Sequence, residues 1–202
     1  MGKYDLWKLD KKLQKEIDED RYHHTLGVMY TAASMAMVWG IDIEQAQVAG
    51  LLHDCAKCIP NKKKIALCEK NRIQVTDFEK ENPFLLHAKL GAFLAKTKYR
   101  VDDPDILSAI LWHTTGKPDM TILEKMIYIS DYIEPARNKA PHLTDLRRLA
   151  FTDLDACMFA ILKDSMEYLS ANPKTMDTRT KEAYLFYQEL MEQKSKEGGN
   201  NS

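Results

Sequence analysis

The chain has 202 residues, 45% of them hydrophobic and 29% charged, with a formal net charge of -1; this is enough apolar content for a core without disulfide staples, and it offers no global attraction to nucleic acid or anionic membrane. No run approaches the roughly 18 uncharged apolar residues of a membrane span, and the opening MGKYDLWKLDKKLQKEIDED lacks the apolar stretch of a secretion signal. Cys55, Cys58, Cys68 and Cys157 are irregularly spaced, so a cytoplasmic protein with reduced thiols is expected.

Taken in chain order, the pattern is helical almost throughout. Leu6, Leu9, Leu13 and Ile17 share one stripe of a first helix over 5–17. A second runs from Tyr22 to Trp39 and stops at Gly40, a natural C-cap. Asp42 N-caps a third, Glu44 to Lys57, with Pro60 marking the break after it. Further helices are predicted over 61–70, 84–98, 104–113, 121–133, 143–170 (broken near Phe151) and 178–193, punctuated by Asn82-Pro83, Asp103-Pro104, Gly116-Lys117-Pro118, Glu134-Pro135, Ala140-Pro141 and Asn172-Pro173. Period-two alternation and hairpin dipeptides are missing. The expectation is an all-α, single-domain bundle over 1–193, followed by a disordered polar tail, 194–202. Cys55-Ala-Lys-Cys58 has half the spacing of a zinc site, but no second pair follows; both are read as buried thiols within a helix.

Four histidines sit on stripes that should face the core. Ala46, Ala49, Gly50 and His53 fall at i, i+3, i+4 and i+7, a run of small residues that admits a neighbouring helix closely. His24 shares a face with Val28, Thr31 and Met35, His87 with Gly91 and Leu94, and His113 with Ile106, Ala109 and Ile110. Asp54 follows Leu51-Leu52-His53, and Asp131 shares a stripe with Leu123 and Ile127. A buried, unpaired carboxylate is very costly, so each needs a cation: Lys57, three residues on from Asp54, or a metal ion. One or two divalent ions would account for all six residues, and imidazole and carboxylate donors suit iron, manganese, cobalt, nickel or zinc.

The ordered set His24, His53-Asp54 and Asp131 resembles the signature of the HD superfamily of metal-dependent phosphohydrolases. Its surroundings are similar to the branch of symmetrical bis(5'-nucleosyl)-tetraphosphatases: Arg21-Tyr-His-His-Thr-Leu-Gly-Val, Gly50-Leu-Leu-His-Asp-Cys-Ala-Lys, His87-Ala-Lys-Leu-Gly-Ala, His113-Thr-Thr-Gly and Ser130-Asp-Tyr-Ile-Glu-Pro-Ala-Arg. These stretches span 21–137. The spacing from Arg21 selects His24 over His23, which is expected nearer solvent; His142 is read as a surface loop residue.

The resemblance implies two divalent metals, iron first. His24, His53, Asp54 and Asp131 would hold one, and His87 and His113 the other, with Asp54 bridging. His53 and Asp54 are the implied catalytic pair, in a site where metal-activated hydroxide attacks a phosphoanhydride. The implied substrate is diadenosine tetraphosphate, cut into two ADP. Lys57, Lys89, Arg137, Thr114, Thr115 and Gly116 are candidate phosphate contacts. Glu134 and Arg137 are read as pairing with each other or supporting the ligands, and Lys62-Lys-Lys64 as a solvated helix face. A small nucleotide is the expected partner, without nucleic acid or membrane, and a homodimer is compatible. Two other readings stand beside this one: an HD-type hydrolase of cyclic nucleotides, deoxynucleoside triphosphates or guanosine tetra/pentaphosphate, and a noncatalytic metal- or nucleotide-binding regulator.

Overall fold

Local capping chemistry places most helix starts in the computed structural model, which describes residues 2–170 and 176–199. Asp5 accepts from Lys8 N–H and opens α1 (Leu6–Leu13); Asp18 accepts from Arg21 N–H and opens α2 (Glu19–Trp39). Gly40, at φ +67°, closes α2. Asp42 caps α3 (Ile43–Leu52). Then follow α4 (Asn61–Lys70), α5 (Asp77–Glu81), a 3-10 turn over Pro83–Leu85, and α6 (Leu86–Thr97). Asp103 caps α7 (Pro104–Trp112), with Pro104 in its first turn, and a Thr121/Glu124 capping box opens α8 (Ile122–Ile133). The chain continues through α9 (Leu143–Leu149), α10 (Leu154–Ser170) and α11 (Thr178–Gly199). No strand occurs among the described residues, so the fold is all-α.

The inner bundle is α2, α3, α7 and α8. The stripe Ala46, Ala49, Gly50, His53 is fully buried or nearly so. A Cβ on Gly50 would come within 2.8 Å of Met29 Cα, so α2 and α3 cross at backbone contact, as the small residues imply. Leu13, Met35, Leu51, Ile106, Ile110, Met126 and Ile127 fill the main core. A smaller cluster of Ala56, Cys68, Leu86 and Leu90 seats α4 on α6. The pair α10–α11 packs on the outside of α8.

Several boundaries differ from expectation. Helix α3 ends at Leu52 and not Lys57, because the chain turns tightly through residues 53–58. This moves Cys55 and Cys58 out of a helix: Cys55 is buried, whereas Cys58 is exposed, its Sγ 3.0 Å from Asp18 Oδ2. The helix expected over 84–98 is a 3-10 turn followed by α6, and α5 was not anticipated; its Thr76/Glu79 capping box stabilises a segment too short to show periodicity. The break near Phe151 is present, between Leu149 and Leu154. Helix α11 runs on to Gly199, where a disordered tail from 194 was expected: Lys194 Nζ lies 2.9 Å from Asp155 Oδ2 and ties this last part of the chain to α10. Residues 200–202, the rest of that expected tail, and Asn172-Pro173 lie outside the described residues.

Candidate metal centre

Helix ends build the site. His53 and His113 are the C-cap residues of α3 and α7, Asp131 lies in the last turn of α8, and His87 is the second residue of α6. Three helix C-termini thus converge, and their partial negative charge favours a cation between them. His24, in the second turn of α2, faces them across the α2–α3 crossing.

The imidazoles are preset as ligands. His53 Nδ1 donates to Gly50 O at 2.7 Å, His87 Nδ1 to Phe84 O at 2.6 Å, and His113 Nδ1 to Ile110 O at 2.7 Å. Only a protonated nitrogen can bond a carbonyl, so each ring presents an Nε2 lone pair inward. Those lone pairs converge on Asp54: His87 Nε2 and His113 Nε2 lie 3.2 and 3.4 Å from Oδ1, and His53 Nε2 lies 3.5 Å from Oδ2. His87 Nε2 and His113 Nε2 are 3.1 Å apart, an arrangement that needs a shared cation or proton. His24 Nε2 is 3.0 Å from Asp131 Oδ1, and its Nδ1 is 3.1 Å from Glu134 Oε1.

These residues fit a divalent metal by a direct structural criterion. His24 Nε2, His53 Nε2 and Asp54 Oδ1 are buried without a hydrogen-bond partner. Three orphaned acceptors in one place would be expensive in a protein with nothing to share them. Ligand atoms of His24, His53 and Asp131 lie within 4.8 Å of one another, and so do those of His53, Asp54 and His113. The donor set, nitrogen and oxygen without thiolate, suits iron, manganese, cobalt, nickel or zinc.

Burial holds His53 and His87 down at about 4, keeping both rings neutral near pH 7. Burial pushes the Asp54 carboxyl up, but His53, His113 and His87 outweigh it and hold it well below the usual carboxylate range. Asp131 behaves alike: burial raises it, and the adjoining His24 and His53 rings bring it far down. Asp54 and Asp131 are therefore charged and the His53 and His87 rings neutral, the protonation states that a metal requires.

A cavity of about 540 Å³ opens over the cluster, and Arg21, Lys57, Thr114, Arg137 and Lys139 line it. Lys57 Nζ is 3.1 Å from His87 Nε2 and 3.7 Å from Asp54 Oδ1; Thr114 Oγ1 is 3.1 Å from both His87 Nε2 and His113 Nε2. Arg137 donates to Asp131 Oδ1 at 2.8 Å. Three expected phosphate contacts lie elsewhere. Lys89 Nζ is held 2.7 Å from Glu79 Oε1 and donates to Gln74 O, because α5 brings a carboxylate to it. Thr115 donates to Gly116 O, and Gly116, at φ +66°, turns toward Tyr128 and Ala183.

Lys64 is a further correction: it is buried, its Nζ 3.3 Å from Asn61 Oδ1, while Lys62 and Lys63 stay exposed. His23 and His142 are at the surface as expected. Glu134 takes the supporting role rather than a close pair with Arg137, which is 3.9 Å away. Sequence reasoning missed Arg21 as a partner of Asp54, with Nη1 2.8 Å from Oδ2. Its place three residues before His24, on one helix face, was the available signal. It also missed Lys139, which the loop after α8 brings to the cavity.

Comparison with known proteins gives a consistent picture. The model of the HD domain matches residues 21–136. A protein of Bacillus subtilis (strain 168) named bis(5'-nucleosyl)-tetraphosphatase, symmetrical, is 42% identical over 78% of this chain and 83% of its own. One of the same name from Halalkalibacterium halodurans is 35% identical over 90% of this chain and 95% of its own. Among solved structures, a predicted HD superfamily hydrolase involved in NAD metabolism from Clostridium acetobutylicum superposes with a TM-score of 0.88 at 37% identity, covering 94% of this chain and all of that one. No described helix is long and apolar enough to cross a membrane.

Proposed function

The chain belongs to the HD domain family, and from that premise we propose that it hydrolyses dinucleoside tetraphosphates symmetrically, turning diadenosine tetraphosphate and water into two ADP. The observation that carries this is the convergence of three imidazole nitrogens on Asp54 beneath a cavity lined by four cations. Relatives covered over 83% and 95% of their own length carry the tetraphosphatase name.

His24, His53, Asp54 and Asp131 would hold one divalent ion, and His87, His113 and Asp54 a second, with iron placed first. Such ions, when bound, supply Lewis acidity toward phosphoryl oxygens and lower the pKa of water into the neutral range. The chain's own groups do the rest. Arg21, Lys57 and Arg137 neutralise the polyphosphate and orient its central anhydride, and Thr114 offers a hydroxyl beside the histidines. Glu134 accepts from His24 Nδ1, leaving Nε2 as its ligand atom. Water oxygen joins one inner phosphorus, the bridging oxygen departs with the other ADP, and the released proton passes to solvent. We place the enzyme in the cytoplasm with a small nucleotide as its partner, and a homodimer is compatible.

The test is incubation of metal-replete protein with diadenosine tetraphosphate and chromatographic separation of products. ADP alone is the expected result. ATP plus AMP would refute symmetrical cleavage. No turnover, alongside hydrolysis of a cyclic or guanosine nucleotide, would replace the substrate assignment.

A further inference from the structure

A second cavity, of about 430 Å³, lies beside the first, within the size range of small-molecule sites. The two share Thr114, Tyr128, Tyr132, Lys139, Ala140 and Ser165 as a common wall. Thr114 is the residue whose hydroxyl touches both His87 and His113. A group seated in the second cavity is therefore one side chain away from the histidine cluster.

The second cavity differs in character from the first. Its lining is mainly apolar and aromatic, with Phe84, Leu85, Tyr132, Tyr168 and Leu169 around it. Phe84 is 45% exposed and Tyr168 82%. Folding does not account for two large aromatic rings left in water on one rim. The same cavity contains a buried carboxylate, Asp164, whose side chain is 6% exposed. Asp164 accepts from His142 Nδ1 at 3.1 Å, and the Tyr132 hydroxyl is a further polar neighbour. A carboxylate has about four acceptor positions, so it can accept further donors. Anchoring His142 at the start of α9 explains that hydrogen bond but not the aromatic rim.

We propose that this cavity is the nucleobase subsite. A purine stacks on the Tyr132 and Tyr168 rings and donates a ring or exocyclic N–H to Asp164, while its phosphates enter the cation-lined cavity past Thr114. A bicyclic base offers the larger stacking face, and its amine-bearing edge is complementary to the Asp164 carboxylate, while Lys139, which lines both cavities, is complementary to the phosphates. The assignment rests on the nucleotide-hydrolase reading above, and makes Tyr132, Tyr168 and Asp164 specificity-determining residues for it.

Calorimetry on metal-replete protein tests this with two probes, ADP and inorganic tripolyphosphate. Tyr168→Ala removes an exposed ring at no risk to folding, and Asp164→Asn keeps the side chain's size. Each variant is expected to weaken ADP binding about fivefold or more, the lower bound for losing one base–aromatic stack, and to leave tripolyphosphate affinity unchanged. Unchanged ADP affinity in both variants overturns the proposal. An equal loss for both probes also overturns it, since a structural disturbance does not distinguish base from phosphate. Failure of the hydrolase reading shows separately, as wild-type protein without turnover of diadenosine tetraphosphate; ADP binding is read without turnover and so judges the base subsite on its own.

Discussion

Gly50→Ala puts the α2–α3 crossing, and through it the metal centre, to the test. In an ordinary helix the change stabilises by about 0.5–1 kcal/mol, because alanine loses less backbone entropy on folding. Here the new Cβ would stand 2.8 Å from Met29 Cα and 3.1 Å from Met29 N. These are backbone atoms, which no rotamer change can move, so the helices must separate. Overpacking of this kind costs about 1–3 kcal/mol. The cost outweighs the gain, and a net loss on the order of 1–2 kcal/mol is expected, a fall in Tm of roughly 2–8 °C for a chain of this size. The displacement also reaches the site, since Gly50 O holds His53 Nδ1 and Met29 shares α2 with His24. Thermal melts of metal-free protein, paired with metal content after dialysis, measure both effects. Gly40→Ala serves as the control: it strains a left-handed residue but meets nothing within 4 Å, so it should lower Tm without changing metal content. A Gly50→Ala protein at least as stable as wild type, with full metal, would refute the reasoning.

Asp54→Ala should lose bound metal and activity together, by elemental analysis and product chromatography; an active, metal-loaded variant would sink the ligand assignment. Lys57→Ala should reduce turnover, whereas Lys89→Ala should leave it unchanged and cost about 1 kcal/mol of stability in a denaturant titration, because buried Glu79 loses its ion pair. A stronger activity loss in Lys89→Ala than in Lys57→Ala would reverse their placement. Stability of metal-free protein should depend on pH through His53 and His87. Their folded values of about 4 lie below the ordinary 6.5, so the unfolded chain binds more protons between those limits and stability rises with pH. It is therefore full above about pH 6.5 and lost as pH falls through 4, by on the order of 2 kcal/mol per ring at pH 5. The depressed Asp54 and Asp131 carboxyls extend the loss in the same direction at lower pH. A flat denaturation midpoint between pH 7.5 and 5 would contradict this.

The helical class, most helix starts and the inward faces of His24, His53, His87 and His113 were legible in the sequence because they are local properties. An N-cap acts over three residues and a helical stripe over seven, so Asp42, Gly40 and the Ala46-to-His53 run carry their meaning within a short window. The candidate ligands were picked out for the same reason, as an ordered set of motifs on such stripes. Which cation meets which carboxylate was not. Lys57 and Lys89 look alike in sequence, each a few residues from a ligand, yet α5 supplies Glu79 to one while the turn after α3 aims the other at His87. Arg21 reaches Asp54 from 33 residues away, and Tyr168 and Asp164 meet the loop after α7 only because α10 folds back on α8. Contacts between elements depend on how helices cross and on where each one stops. A stop such as Leu52, with the turn that frees Cys58, is decided by packing across the whole bundle and not by the residues nearby.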